Sequence, residues 1–277
     1  MKSIDLRQMQ HIELDILLEL DKLCKKHGLR YYMDGGTLLG AMCYEGFIPW
    51  DDDIDIKMPR PDYEKLLMLG DELPNHIRID APTRGHCEYT MAKLIDSRTV
   101  LIERSEEACK RTGVYIDVFP MDGHPDGEKA RQRHINKLRR LNTLFHNSLE
   151  RFSSLKRSKS LKTIFKGYIY DIMYTSYGLY RRMTAAAKRF DYEKCGSVGL
   201  LVEGDSERER FPKEWLEPAV MLEFEGHMLP APCGYREHLR VFYGAHITNE
   251  EYHHNLPMIL PDHDHEVFWA EVENDGL

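Results

Sequence analysis

Phe47-Ile48-Pro49-Trp50-Asp51-Asp52-Asp53-Ile54-Asp55-Ile56 places four aspartates within five residues. Side chains alternate along a strand, so on that reading Asp53 and Asp55 share one face while Ile54 and Ile56 share the other. The isoleucine face can rest on a core. The aspartate face presents two carboxylates whose Cα atoms stand roughly 6–7 Å apart. That spacing suits hard divalent cations, which take oxygen ligands and keep waters for substrate phosphates. Asp51 falls on the same face and Asp52 on the other, so Asp52 is the first of the four expected to support rather than ligate, and Asp51 is grouped with it as a supporting residue. An acidic run can equally be a solvated turn, so the reading rests on its flanks.

Upstream, Tyr31-Tyr32-Met33-Asp34-Gly35-Gly36-Thr37-Leu38-Leu39-Gly40-Ala41 predicts a short strand, a glycine turn and a helix starting near Thr37. Glycines let backbone pass close to a ligand, and a helix N-terminus offers free N–H groups to a phosphate. Gly35, Gly36 and the amide of Thr37 are therefore candidates to cradle one. Downstream, Val114-Tyr115-Ile116-Asp117-Val118-Phe119-Pro120 sets one acid in an apolar strand. Burying that carboxylate is costly unless it is paired or metal-bound. Glycine turn, Asp-x-Asp strand and a third acid on a later strand outline a nucleotidyltransferase-type site. Such a site holds two cations about 3.5–4 Å apart that clamp the attacking and leaving oxygens of an in-line phosphoryl transfer.

At these residues the sequence resembles the LicD family. The matching stretches are Gly35 to Ala41, Gly46 to Ile56, Arg60, Asp62-Tyr63, Lys93-Leu94-Ile95-Asp96-Ser97-Arg98-Thr99 and Ile116 to Gly123. Weaker echoes follow at Phe224-Glu225-Gly226, Pro230, Leu239 and Tyr243-Gly244. The resemblance implies transfer of a phospho-alcohol, typically phosphocholine, from a CDP-activated donor to a surface glycan such as lipopolysaccharide or teichoic acid, with release of CMP. Fukutin-related enzymes, which move ribitol phosphate, share the catalytic segment. Where many members carry a basic residue after the first short helix, this chain has Cys43, and the family pattern is also altered at Tyr243-Gly244-Ala245-His246-Ile247-Thr248.

Composition sets further bounds. Of 277 residues 42% are hydrophobic, enough for a core, and 30% are charged. No run approaches the roughly 18–20 apolar residues that span a bilayer. The start, Met1-Lys2-Ser3-Ile4-Asp5, carries no signal-peptide hydrophobic region. The expectation is a cytoplasmic protein. Six scattered cysteines, Cys24, Cys43, Cys87, Cys109, Cys195 and Cys233, lack zinc spacing and predict free thiols. His253-His254 and His263-Asp264-His265 read as a polar tail without strand or helix. The net charge of −8 conceals a segregation. Between Lys129 and Arg189, sixteen Lys and Arg accompany only Glu150 and Asp171, a local +14. The basic region fits an anionic partner such as the inner face of a membrane, and the acidic remainder argues against nucleic acid.

The pattern predicts an α/β (α+β) chain: a nucleotidyltransferase-like mixed sheet core over 1–125, a basic helical insertion over 126–195, and a part over 196–277 that returns to the core. Leu6, Met9, Ile12, Ile16, Leu20 and Leu23 recur at helical spacing, with Gly28 as a stop. Strands are expected around Asp53–Met58, His76–Asp80, Tyr89–Ile95, Val100–Glu103 and Tyr115–Phe119, and helices over Pro61–Leu73, 128–150, 159–190 and Tyr235–Tyr243. The apolar stripe Leu161, Ile164, Phe165, Tyr168, Ile169, Ile172, Met173, Tyr177 and Tyr180 either packs on the core or lies on a membrane, with Lys156, Arg157, Lys159, Lys162 and Lys166 at the headgroups.

Asp53, Asp55 and Asp117 are the expected catalytic and metal-holding residues, binding two Mg²⁺ or Mn²⁺ ions against the donor diphosphate. Asp117 can also accept the proton of the acceptor hydroxyl. Lys93 is the candidate to neutralise the transferred group, unless it is simply a surface lysine. A choline headgroup would bind aromatic faces, and Trp50, Tyr31, Tyr32, Tyr44 and Tyr89 lie near the motifs. The donor partner expected is CDP-choline or a close CDP-alcohol, the acceptor a glycan that can be lipid-linked, and residues 129–189 a peripheral contact with the membrane. Two other readings stay open: attachment of the nucleotide itself, or a non-catalytic regulator of glycan phosphorylation.

Overall fold

A computed structural model describes residues 2–104, 109–157, 175–202, 210–248, 254, 256 and 264–270. Helix α1 (Leu6–His27) opens with a capping box: the Asp5 carboxylate accepts the Gln8 N–H at 2.8 Å, and the Gln8 side chain accepts that of Asp5 at 3.1 Å. Gly28, at φ 65°, ends it in the left-handed conformation. Its apolar stripe buries Ile16, Leu17 and Leu20 completely. These side chains belong to the main core, which also takes Ile56, Leu94, Ile116 and Val118 from the sheet and Ile54 from just before its second strand (Asp55–Pro59).

The main sheet runs in the order β1 (Tyr32–Met33), β2 (Asp55–Pro59), β7 (Tyr115–Gly123), β4 (Ala92–Asp96), β3 (Ile77–Asp80). β2 and β7 are parallel, while β1–β2, β4–β7 and β3–β4 are antiparallel, so the sheet is mixed. Between β1 and β2 lies α2 (Gly35–Tyr44), and α3 (Arg60–Leu66) follows β2. β8 (Ser197–Gly199) pairs with the far end of β7, and β9 (Arg210–Pro212) pairs with β8. β5 (Thr99–Arg104) lies in a separate sheet between β6 (Cys109–Thr112) and β12 (Asp264–Trp269). A hairpin of β10 (Val220–Phe224) and β11 (His227–Ala231) leads to a later helix, Tyr235–Tyr243.

The basic region contains α4 (Glu128–Arg157) and α5 (Ser176–Ala187), which share a second core of Leu138, Phe145, Leu179 and Met183. Tyr177 and Tyr180 pack against it, while Lys129, Arg133, Lys137, Arg139 and Arg140 of α4 are exposed. The rest of the predicted stripe, from Leu161 to Met173, and the lysines at 159, 162 and 166 lie outside the described residues, as do the side chains of Lys156 and Arg157. Among the described residues no helix is long and apolar enough to cross a membrane. Cys24, Cys43, Cys87, Cys195 and Cys233 are free thiols.

Several boundaries differ from the sequence reading for identifiable reasons. α2 begins at Gly35 rather than Thr37, so both glycines form its first turn. β2 begins only at Asp55, which leaves Asp51, Asp52 and Asp53 in irregular backbone. The strand alternation that separated Asp52 from its neighbours therefore does not operate there. The helix expected over Pro61–Leu73 stops at Leu66 and gives way to a 3₁₀ turn at Gly70–Glu72. α4 continues through the serines expected to end it. The expected polar tail holds a strand instead, β12, whose partner β5 lies far upstream. β6 carries no apolar alternation and has no counterpart in the expected strands.

Candidate active site

The site forms where the parallel pair β2–β7 meets the first turn of α2. Asp55 and Asp117 are direct partners in the β2–β7 register, so two strands distant in sequence deliver the two acids side by side. The N–H of Asp55 donates to Thr37 Oγ1 at 2.9 Å, and the N–H of Asp34 donates to the Asp55 carbonyl at 3.0 Å. α2 and β2 are thus sewn together on both sides of Asp55. Thr37 is itself buried.

The two glycines fit against the acids with no room to spare. A Cβ on Gly35 would stand 2.9 Å from Asp55 Oδ2, and Gly35 also has φ +52°. A Cβ on Gly36 would stand 2.4 Å from Asp51 Oδ2. Any side chain at Gly36 would therefore move that carboxylate. Asp51, Asp52 and Asp53 each bring one oxygen to a common place, all within 4.8 Å of one another.

Asp34 stands at the cap position of α2 but makes no cap bond there. Its carboxylate is committed elsewhere: Lys57 Nζ lies 2.8 Å from Oδ1 and His238 Nε2 lies 2.7 Å from the same atom. Lys57 is completely buried and rests 4.7 Å from the centroid of the Phe211 ring. Burial opposes ionisation of Asp34, but Lys57 and His238 outweigh it and hold the carboxyl far below its ordinary range. With Asp34 turned away, the N-terminal amides of α2 are left without that cap, on the side where the acids converge.

Asp117 has a cationic neighbour. Lys93 Nζ lies 2.8 Å from Oδ1 and 3.2 Å from Oδ2. The lysine comes from the adjacent strand β4, where it is the register partner of Asp117. Its ammonium also lies 3.4 Å from the Tyr115 ring centroid and 5.4 Å from that of Tyr89. Lys93 is therefore held among an acid and two aromatic faces rather than free on the surface.

The acids feel burial and one another. Asp55 is pushed well above the usual carboxylate range, first by burial, then by Asp53, Asp117, Asp34 and Asp51. Asp117 is raised by burial and partly brought back by Lys93. Asp51 is pushed up to about 7 by burial with Asp53 and Asp52. Such mutual repulsion is what bound divalent cations would relieve, and an all-carboxylate donor set is the kind that Mg²⁺ or Mn²⁺ takes. The residues present fit that group.

Helix α1 contributes two residues that the sequence reading did not single out. Gln10, buried, donates from Nε2 to the Asp51 carbonyl at 2.8 Å and so fixes the acidic loop. Glu13 is wholly buried, and among the described residues neither carboxylate oxygen has a hydrogen-bond partner. It is raised well above its usual range by burial, then by Asp53, Asp52, Asp51 and Asp55. Its signal was available, since Glu13 falls on the same helical face as Met9, Ile16 and Leu20.

Other motif residues serve the frame. Arg60 forms a buried two-pronged pair with Asp122, at 2.8 and 2.6 Å. Asp62 accepts from Arg30, and Asp96 from Arg98. Of the five aromatic residues considered for a headgroup, Tyr31 and Tyr32 are buried, with the Tyr31 hydroxyl donating to Asp21. Trp50 stands edge-on to Tyr44, with centroids 6.5 Å apart, and Tyr44 is edge-on to His254 at 5.3 Å. Cys43 is buried, its thiol pushed up to about 11 by burial, with the charge of Arg236 opposing.

A family model described as "LicD/FKTN/FKRP, nucleotidyltransferase domain" matches residues 28–148. The lipopolysaccharide cholinephosphotransferase LicD of Haemophilus influenzae is 30% identical over 256 residues, which covers 89% of this chain and 93% of that protein. The chain belongs to the LicD family. An uncharacterized protein of Rickettsia prowazekii is also 30% identical, over 104 residues that cover 38% of this chain and 31% of its own length. The residues matched by the LicD family model include every acid of the cluster from Asp51 to Asp55, as well as Lys93 and Asp117, whereas Glu13 lies upstream of the match.

Proposed function

We propose that this LicD-family chain transfers phosphocholine from CDP-choline to a hydroxyl of a lipopolysaccharide-type glycan, releasing CMP in a metal-dependent reaction. The observation that carries the proposal is the pairing of Asp55 with Asp117 on parallel strands, closed over by the Gly35-Gly36 turn. Sequence likeness to the Haemophilus influenzae cholinephosphotransferase supplies the substrate class.

Asp53 and Asp55 would hold two Mg²⁺ or Mn²⁺ ions, with Asp117 on the acceptor side and Asp51 beside Asp53. Bound there, the ions would neutralise the donor diphosphate and acidify the acceptor hydroxyl. Gly35, Gly36 and Thr37 present amides to a phosphate oxygen. Asp117 takes the proton of the attacking hydroxyl, and Lys93, already against it, offsets charge on the transferred group. Asp52 is placed to hold the loop or to share in ligation. Trp50, edge-on to Tyr44, is the aromatic surface offered to a quaternary ammonium. The exposed lysines and arginines of α4 would bring the enzyme to anionic lipid that carries the acceptor. Sedimentation with anionic vesicles at low salt tests that part, and failure to sediment removes it.

The deciding measurement is CMP release from CDP-choline, with CDP-ribitol, CDP-glycerol and CDP-ethanolamine alongside, in Mg²⁺ and in Mn²⁺, with and without lipopolysaccharide. Metal-dependent CMP release with phosphocholine on the glycan is the expected result. A product that carries the cytidine would mean nucleotidyl transfer. No product and no donor binding by calorimetry would leave a regulator of glycan phosphorylation.

A further inference from the structure

Glu13 is buried beneath the acidic loop, on a helix outside the family-matched segment. It lines a cavity of about 40 Å³ with Met9, Asp52, Asp53, Leu101, Glu103 and Tyr115. Three of those six neighbours are carboxylates. One wall is fixed, because the Tyr115 hydroxyl donates to Glu103 Oε1 at 2.9 Å. Burying a carboxyl with both oxygens unpartnered costs free energy in either protonation state, so the position calls for something that satisfies those oxygens. A water needs roughly 10–15 Å³ of such volume, so the cavity has room for a small cation and a water or two.

We propose that Glu13, Asp52 and Asp53 hold a divalent cation in this cavity, distinct from the two ions assigned above to Asp53, Asp55 and Asp117, and that it ties α1 to the acidic loop. Asp53 is shared between the two positions, and only through that residue does this inference rest on the metal-dependent reading above. A hard cation of the Mg²⁺ or Mn²⁺ class fits a donor set made only of carboxylate oxygens. Gln10, one helical turn earlier, already binds the loop backbone at Asp51, so α1 would hold the loop at two points.

Mn²⁺ is the probe, titrated into the metal-stripped full-length chain without donor and counted by the spin resonance of the free ion. Glu13→Gln is expected to bind one Mn²⁺ fewer per chain, or that ion at least tenfold more weakly, and to lose part of the rise in Tm that Mn²⁺ gives the parent. Asp117→Asn is expected to keep that ion. Should Glu13→Gln match the parent in number and affinity, the proposal is overturned and Glu13 is a buried acid. Glu13→Met guards against misfolding of the first variant: greater stability with an unchanged Mn²⁺ count overturns the proposal equally. Loss in Glu13→Gln alongside no loss in Asp55→Asn or Asp117→Asn would sink the catalytic metal reading and leave this one standing. Crystals soaked in Mn²⁺ need no variant. An anomalous peak within bonding distance of Glu13 is expected, and its absence where Asp55 has one overturns the proposal.

Discussion

Thr37 Oγ1 accepts the backbone N–H of Asp55, so the hydroxyl of the third residue of α2 fixes the first residue of β2. Thr37→Val would keep the shape and leave a buried N–H without an acceptor. It is expected to lower stability by about 1–3 kcal/mol and to reduce turnover, whereas Thr37→Ser should restore most of both. Denaturant melts with CMP-release assays on the three proteins check this.

Gly36→Ala should fold and yet lose activity. Its Cβ would meet the Asp51 carboxylate at 2.4 Å, so the acid must move. A displacement of about 1 Å at a reacting centre can cost on the order of 10²-fold in rate. Unchanged kcat in this variant would mean that Asp51 has no part in the chemistry.

Asp55→Asn separates stability from activity. Removing one of several buried acids relieves repulsion, so the metal-free variant is expected to be more stable by about 1–2 kcal/mol, a rise of a few degrees in Tm for a chain of this size. Turnover should disappear. Near-normal turnover, in this variant or in Asp53→Asn, would remove the two-metal assignment.

Lys57→Met leaves Asp34 and His238 without their buried cation. Breaking such a pair typically costs about 3–5 kcal/mol, so the variant should be poorly folded. Adding Asp34→Asn removes the stranded charge and is expected to recover part of the loss. Full stability in the single variant would show that Lys57 is not what holds Asp34 ionised.

His124 predicts a pH dependence. It is wholly buried, and among the described residues neither ring nitrogen has a hydrogen-bond partner. Burial, then the charges of Arg210, His134 and Arg131, lowers it to about 3 from 6.5. Below pH 6.5 the unfolded chain therefore binds a proton that the folded chain refuses. The stability is fully present above pH 6.5 and declines as pH falls toward 3, by at most about 1.4 kcal/mol per pH unit from this group. His124→Gln should flatten the slope between pH 6.5 and 4.5 in thermal melts, and an unaltered slope would assign it to other groups.

The strand frame of the candidate site was legible because its signals are local. The alternation in Ile54-Asp55-Ile56 and in Ile116-Asp117-Val118 marks single acids on apolar strands, and the structure makes them register partners. Asp53 was harder to place, because Pro49 and the run of like charges keep the loop irregular until Asp55. What escaped is non-local. β12 has little strand character of its own and exists by pairing with β5. Glu13 stands out as an acid on the apolar face of α1, but only the fold sets it against Asp52 and Asp53. Lys93 was singled out from its motif, but its pairing with Asp117 depends on β4 lying beside β7.

The parallel pairing of β2 with β7 also has a bearing on how the chain comes to be active. β3, β4, β5 and β6 all intervene in sequence, so the two acids can meet only after a long loop has closed. Contacts of that separation form slowly and raise the topological barrier to folding. A nascent chain that has emerged only as far as β6 carries the whole acidic loop but no β7 to set against it. The repulsion between Asp117 and the acids of the loop is therefore met only once β7 has paired with β2, and a chain cut before β7 would hold aspartates without a site.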